Sequence, residues 1–142
     1  MAELAKLFAE EMRVRRDKLG LTQEAFGAPL GLDRSAVSRI EKSAPNLSIS
    51  KAVLIASALK TNVSEMVGGE KSDKTAQQIT EGMATRIRQW RADNDLNQRE
   101  LAEKVNVDRN RVSVVESGKK NVTLETIERF ANALDISPLE FL

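Results

Sequence analysis

The chain has 142 residues, 41% hydrophobic and 30% charged, with a formal net charge of +1. It contains no Cys, His or Tyr. This excludes disulfides and thiolate metal sites, and it removes the commonest general base and zinc ligand together. No apolar run approaches the 18 residues of a membrane span and no signal peptide precedes the first helix, so a cytoplasmic protein without membrane contact is expected.

Leu4, Phe8 and Met12 recur at helical spacing and predict a first helix that stops near Gly20. Thr22 is a good N-cap for a second helix carrying Phe26 and Leu30. Gly27 and Pro29 fall inside it. Proline removes one helical hydrogen bond and crowds the carbonyl of Ala25, so this helix is expected to kink or end early. A tight turn at Gly31-Leu32 follows, where glycine tolerates left-handed backbone. Asp33 caps a third helix burying Val37 and Ile40. Ser48 caps a fourth with Ile49, Ala52, Ile55, Ala56 and Leu59 on its core face, and a last short helix carries Met66 and Val67. Residues 68–78 are polar and punctuated by glycine, as a linker would be.

The same series then recurs. Residues 4–67, shifted by 75, lie on residues 79–142 without a gap, and 15 of the 64 positions are identical. Ile79, Met83, Ile87 and Trp90 form the helix 1 stripe, which stops near Asp95. Asn97 caps helix 2 with Leu101 and Val105, and Asn106-Val107 is the turn. Asp108 caps helix 3 with Val112 and Val115, and Thr123 caps helix 4 with Leu124, Ile127, Phe130, Ala131 and Leu134. A constant register over this length means two copies of one fold. The expected organisation is a first domain at 1–67, a linker at 68–78 and a second domain at 79–142, each of five short helices.

Two short helices around a Gly or Asn turn, the second with its own N-cap, form a helix-turn-helix. The strings LTQEAFGAPLGLDRSAVSRIE and LNQRELAEKVNVDRNRVSVVE resemble the Cro/repressor class of phage and bacterial regulators, the xenobiotic-response-element family. The tail SGKKNVTLETIERFANALDISPLEFL is similar to that family's fourth and fifth helices. The resemblance covers both copies and implies an all-α chain of two tandem five-helix lambda-repressor-like domains.

It also implies roles for particular residues. Arg16 pairs with Glu41, and Arg91 with Glu116, as structural ion pairs on otherwise inward faces. Helix 3 lies in the major groove. Its outward residues are Arg34, Ser35, Ser38 and Arg39 in the first copy, and Arg109, Asn110, Ser113 and Val114 in the second, with Arg111 to one side. Arg suits guanine and Asn suits adenine through paired hydrogen bonds. Gln23 and Gln98 match a position that touches a phosphate from the start of helix 2. Lys119, Lys120 and Asn121 match a phosphate-contacting loop, which in the first copy reads Lys42, Ser43, Ala44, Pro45 and Asn46 and is poorer in charge. Ser43 stands where the second copy has Gly118.

On helix 4 the first copy places Val53 and Leu54 outside the core stripe, where the second places Glu128 and Arg129. Leu139, Phe141 and Leu142 gather apolar surface at the end of the second copy. These five apolar residues are expected to form an interface, either between the copies or with another chain.

The reading is therefore a sequence-specific DNA-binding transcription regulator, a repressor or autoregulator in a bacterial or phage cytoplasm, at the nucleoid. Its partner is double-stranded DNA, bound as a homodimer or as an intramolecular pseudo-dimer. The competing reading is a protein-binding regulator, an antitoxin or anti-activator. It draws on Pro29 and on the missing basic excess, with 10 basic and 9 acidic residues in 1–70 and 12 of each in 71–142. No nucleophile–base pair, metal cluster or cofactor motif can be assembled, so neither an enzyme nor a cofactor is expected.

Overall fold

The computed structural model describes residues 3–142; residues 1 and 2, assigned above to the first domain, lie outside the described residues. The first repeat holds α1 (Glu3–Lys18), α2 (Gln23–Gly27), α3 (Arg34–Ser43), α4 (Ile49–Ala58) and α5 (Val63–Met66). The second holds α6 (Ala76–Asp93), α7 (Gln98–Val105), α8 (Arg109–Ser117) and α9 (Leu124–Leu134). Short 3-10 turns span Ala28–Leu30 and Pro138–Glu140. The fold is all-α, with two tandem helix-turn-helix units.

Local chemistry sets these boundaries. Thr22, Asp33, Ser48, Asn97, Asp108 and Thr123 each accept a hydrogen bond from the backbone N–H three residues on, filling an orphan donor of the helix they open. The turns before α3 and α8 close on left-handed Gly31 (φ 71°) and Asn106 (φ 63°).

The first repeat departs where Pro29 stands. Helix α2 stops at Gly27 and continues as a 3-10 turn. This tighter path brings the turn onto α2, so a Cβ at Gly27 would lie 2.3 Å from the Leu32 carbonyl oxygen and 2.8 Å from Val37 Cγ2. Ala102 occupies the equivalent place beside an unbroken α7. Helix α3 also runs one residue longer than α8. Its left-handed terminator is Ala44 (φ 45°), whereas α8 stops at Gly118 (φ 65°).

The segment between the repeats is held in place rather than slack. Helix α6 starts at Ala76, inside the stretch expected to be linker, because Thr75 and Gln78 form a capping box. The Ser72 hydroxyl donates to the Leu142 carbonyl at 2.6 Å. At Gly69 an added Cβ would meet Ser64 Oγ at 2.5 Å and Leu139 Cδ2 at 2.7 Å, so a larger residue there would have to displace side chains of both repeats.

The cores are mostly aliphatic around one phenylalanine each, built on Phe8, Met12, Ile40 and Ile55 in one repeat and Met83, Ile87, Leu101 and Phe130 in the other, all fully buried. They meet across a local two-fold. Ile49 N–H donates to Val122 O at 2.7 Å, and Leu124 N–H donates to Leu47 O at 2.9 Å. These bonds flank an antiparallel bridge between Ser48 and Thr123. Residues 47, 48 and 49 plus 75 are 122, 123 and 124, so each bond is the image of the other. The helices obey the same relation: α1 packs on α9, and α4 packs on α6. The chain exposes 7915 Å². Two separate domains of half the mass would expose about 8,800 Å², so docking removes on the order of 900 Å², within the range of interfaces between domains of one chain.

Candidate nucleic-acid interface

Each recognition helix is seated by a buried carboxylate at its end. Arg16 donates to Glu41 through Nε at 2.7 Å and Nη2 at 3.0 Å, and its Nη1 donates to the Leu21 carbonyl at 2.7 Å. Arg91 repeats this with Glu116 at 2.8 and 3.0 Å and with the Leu96 carbonyl at 3.2 Å. The fork geometry suits Arg and carboxylate and ties helix 1, the helix 1–2 turn and helix 3 together. Hydrogen bonding to the carboxylate holds both guanidinium groups above their ordinary pKa, outweighing desolvation, which pulls the other way.

Gln23 and Gln98 join the same clusters. Their amide nitrogens donate to Glu41 and Glu116, each at 3.1 Å. The expected phosphate contact thus has only the rest of each amide group to use, because the nearest strong acceptor lies inside the protein.

The outward faces of α3 and α8 are open. Arg34, Ser35 and Arg39 are exposed and Ser38 is half-buried; Arg109, Asn110, Ser113 and Val114 are exposed. Arg111 is exposed but leans back, its Nη1 donating to Thr126 Oγ1 on α9 at 3.3 Å. Lys119 and Lys120 project from the loop after α8.

Arg99 was missed from sequence. It opens α7 beside Gln98 and lines a cleft with Arg91, Asn97 and Arg109 between α7 and α8. In the first repeat Glu24 lines a cleft beside Arg34 and Ser35, while Asp33 there is matched by Asp108 in the second repeat. A signal was available, since Glu24 falls on Arg99 under the repeat alignment. The second head is therefore the more cationic.

Asn46 and Asn121, both exposed, have a second engagement besides the one expected. They were expected on phosphate-contacting loops, and their side chains reach the opposite repeat. Asn46 Oδ1 accepts from Glu125 N–H at 3.0 Å, and Asn121 Oδ1 accepts from Ser50 N–H at 3.2 Å. The cause is the local two-fold, which brings the N-terminus of α9 to one asparagine and that of α4 to the other. Each then caps the other repeat's helix.

The helix 4 residues also sort differently from their stripe. Glu128 is buried although it lies outside the expected core face, because that face meets α1 across the domain boundary. Its Oε2 accepts from Glu3 N–H at 3.0 Å, capping α1 from the second repeat. Val53, its counterpart, is half-buried and shares a cleft with Ile79 and Leu142. Phe141 and Leu142 are buried and Leu139 is half-buried, packed on the core. Leu54 stays 51% exposed, where its counterpart Arg129 reaches the Asn106 carbonyl at 3.2 Å.

Two capped, outward-facing helices, each following a tight left-handed turn, define a tandem helix-turn-helix protein. A helix-turn-helix family model matches residues 12–66 and again 87–141. The chain belongs to that family, one of DNA-binding transcription regulators and not ordinarily of enzymes. Comparison with curated proteins and with solved structures finds no match. Among the described residues no helix is long and apolar enough to cross a membrane.

Proposed function

We propose that the chain is a sequence-specific regulator of the Cro/repressor or xenobiotic-response-element branch, acting at the bacterial or phage nucleoid as a repressor or autoregulator. Bound duplex would exclude other proteins from the same DNA. The observation that carries the reading is the outer face of α8. Arg109 and Asn110 stand exposed at the N-terminal end of a helix seated by Glu116, with Arg99 beside them and Lys119 and Lys120 beyond the helix's other end as phosphate partners. Arg109 supplies a fork for guanine and Asn110 a donor–acceptor pair for adenine.

Selection from random duplex DNA with the purified chain tests this. Enrichment of a motif is expected. Asn110→Ala should relax one base position and weaken specific binding by about 1–3 kcal/mol. No enrichment at low salt removes the reading.

The protein-binding alternative, an antitoxin or anti-activator, has one observation in its favour: Glu24, where the second head has Arg99, lowers the net positive charge of the first head. An acidic edge repels phosphate and suits a basic protein surface.

A further inference from the structure

We infer that one chain reads a single non-palindromic DNA site made of two unlike half-sites one helical turn apart, with α3 on one half and α8 on the other. This rests on the DNA-binding reading and deepens it. Three observations carry the step.

The first is the local two-fold. Paired backbone bonds between Leu47–Ile49 and Val122–Leu124, and the reciprocal asparagine caps, arrange the repeats as the halves of a symmetric dimer. A regulator that must find a second copy to present two heads is symmetric by construction. Here the second head is covalently supplied, so symmetry of the heads is no longer enforced.

The second is reach. The chain after α3 runs from Ser43 to the bridge residue Ser48, and the chain after α8 from Ser117 to Thr123. Even fully extended, these connections and the bridge separate the helix ends by at most about 45 Å. Equivalent faces of the major groove recur at about 34–36 Å per turn, inside this limit, whereas about 70 Å per two turns would need both connections and both helices drawn out in one line, which the left-handed turns at Ala44 and Gly118 prevent.

The third is the difference between the heads. Position by position, α3 presents Arg34, Ser35, Ser38 and Arg39 where α8 presents Arg109, Asn110, Ser113 and Val114. Arg39 against Val114 exchanges a guanine-type fork for an apolar contact that suits a thymine methyl, and Ser35 against Asn110 exchanges a permissive hydroxyl for an adenine-type amide. The shared Arg34 and Arg109 place a guanine preference in both halves. The surrounding charge is unequal too, with Glu24 in one head where Arg99 stands in the other. The second repeat therefore anchors the complex through phosphates, and the first contributes mainly base discrimination.

The test is selection from random duplexes long enough for two turns, followed by the mass of the complex on the selected site. A motif with two unlike halves centred about ten base pairs apart, bound by one chain, is the expected result. Arg39→Ala should relax only the first half, and Asn110→Ala only the other. Each should lower affinity for the full site roughly five- to hundredfold. The exchange Ser35→Asn with Arg39→Val, which makes the four base-facing positions of α3 match those of α8, should move the selected motif toward a palindrome. A palindromic motif from the wild-type chain, a complex of two chains on one site, or a motif of a single half overturns the inference while leaving DNA binding intact. No motif at all overturns the DNA-binding reading itself.

Discussion

Glu41 is the residue whose removal most sharply tests how the heads are built. Its side chain is 2% exposed and accepts from Arg16 Nε, Arg16 Nη2 and Gln23 Nε2. Glu41→Ala leaves those donors without a partner, and the Arg16 side chain is only 10% exposed, so water cannot replace the carboxylate. An uncompensated buried charge of this kind costs about 3–5 kcal/mol, a large part of the roughly 5–15 kcal/mol that stabilises a domain. Glu116→Ala removes the same bonds, but the Arg91 side chain is 25% exposed and can be rehydrated. Its loss should be smaller, about 2–3 kcal/mol. Removing charge on both sides, as in Arg16→Met with Glu41→Leu, leaves no charge unpaired, only the half-buried Gln23 amide and Leu21 carbonyl without their partners, and should cost less than Glu41→Ala. Urea titration followed by amide exchange in each repeat separates the two domains. Equal losses for Glu41→Ala and the double variant would refute the buried-charge reasoning, and a larger loss for Glu116→Ala would refute the role given to exposure.

The raised guanidinium pKa values place the pH limit of both pairs on the alkaline side. Their stabilisation is not lost until pH rises through the raised folded value, above the ordinary arginine range. A drop in melting temperature between pH 7 and 9 that Arg16→Met with Glu41→Leu abolishes would contradict this. Arg99→Glu, which copies Glu24, should weaken binding to all duplexes alike and lower the salt slope, as Lys119→Ala should by about one unit. Base-specific loss measured by fluorescence anisotropy would assign Arg99 to base edges instead. Val53→Glu should loosen docking of the repeats, because Val53 shares its cleft with Ile79, Leu142 and Asp73. Leu54→Arg at its exposed neighbour should change stability by less than about 0.5 kcal/mol; amide exchange in α6 distinguishes them. Gly69→Ala should destabilise by about 1–3 kcal/mol by driving a methyl into Ser64 and Leu139, read by thermal melting.

Much of one repeat was legible because its determinants are local. A cap needs only a short polar side chain three residues before the N–H it serves, so Thr22, Asp33, Ser48 and their partners could be read from spacing. The broken α2 followed from Pro29 for the same reason. How the two repeats face each other was not legible. Asn46 and Asn121 are identical under the alignment and suit a phosphate loop equally well; only the abutting N-termini of α4 and α9 give each a partner in the other repeat. Glu128 lies off the stripe that defines its own domain's core, so helical periodicity marks it as solvated, yet the neighbouring repeat buries it at the end of α1. Periodicity reports the face a helix turns to its own domain. Which further faces are covered depends on where a second body docks, and that was decided by the fit of two whole surfaces that no stretch of the chain encodes alone.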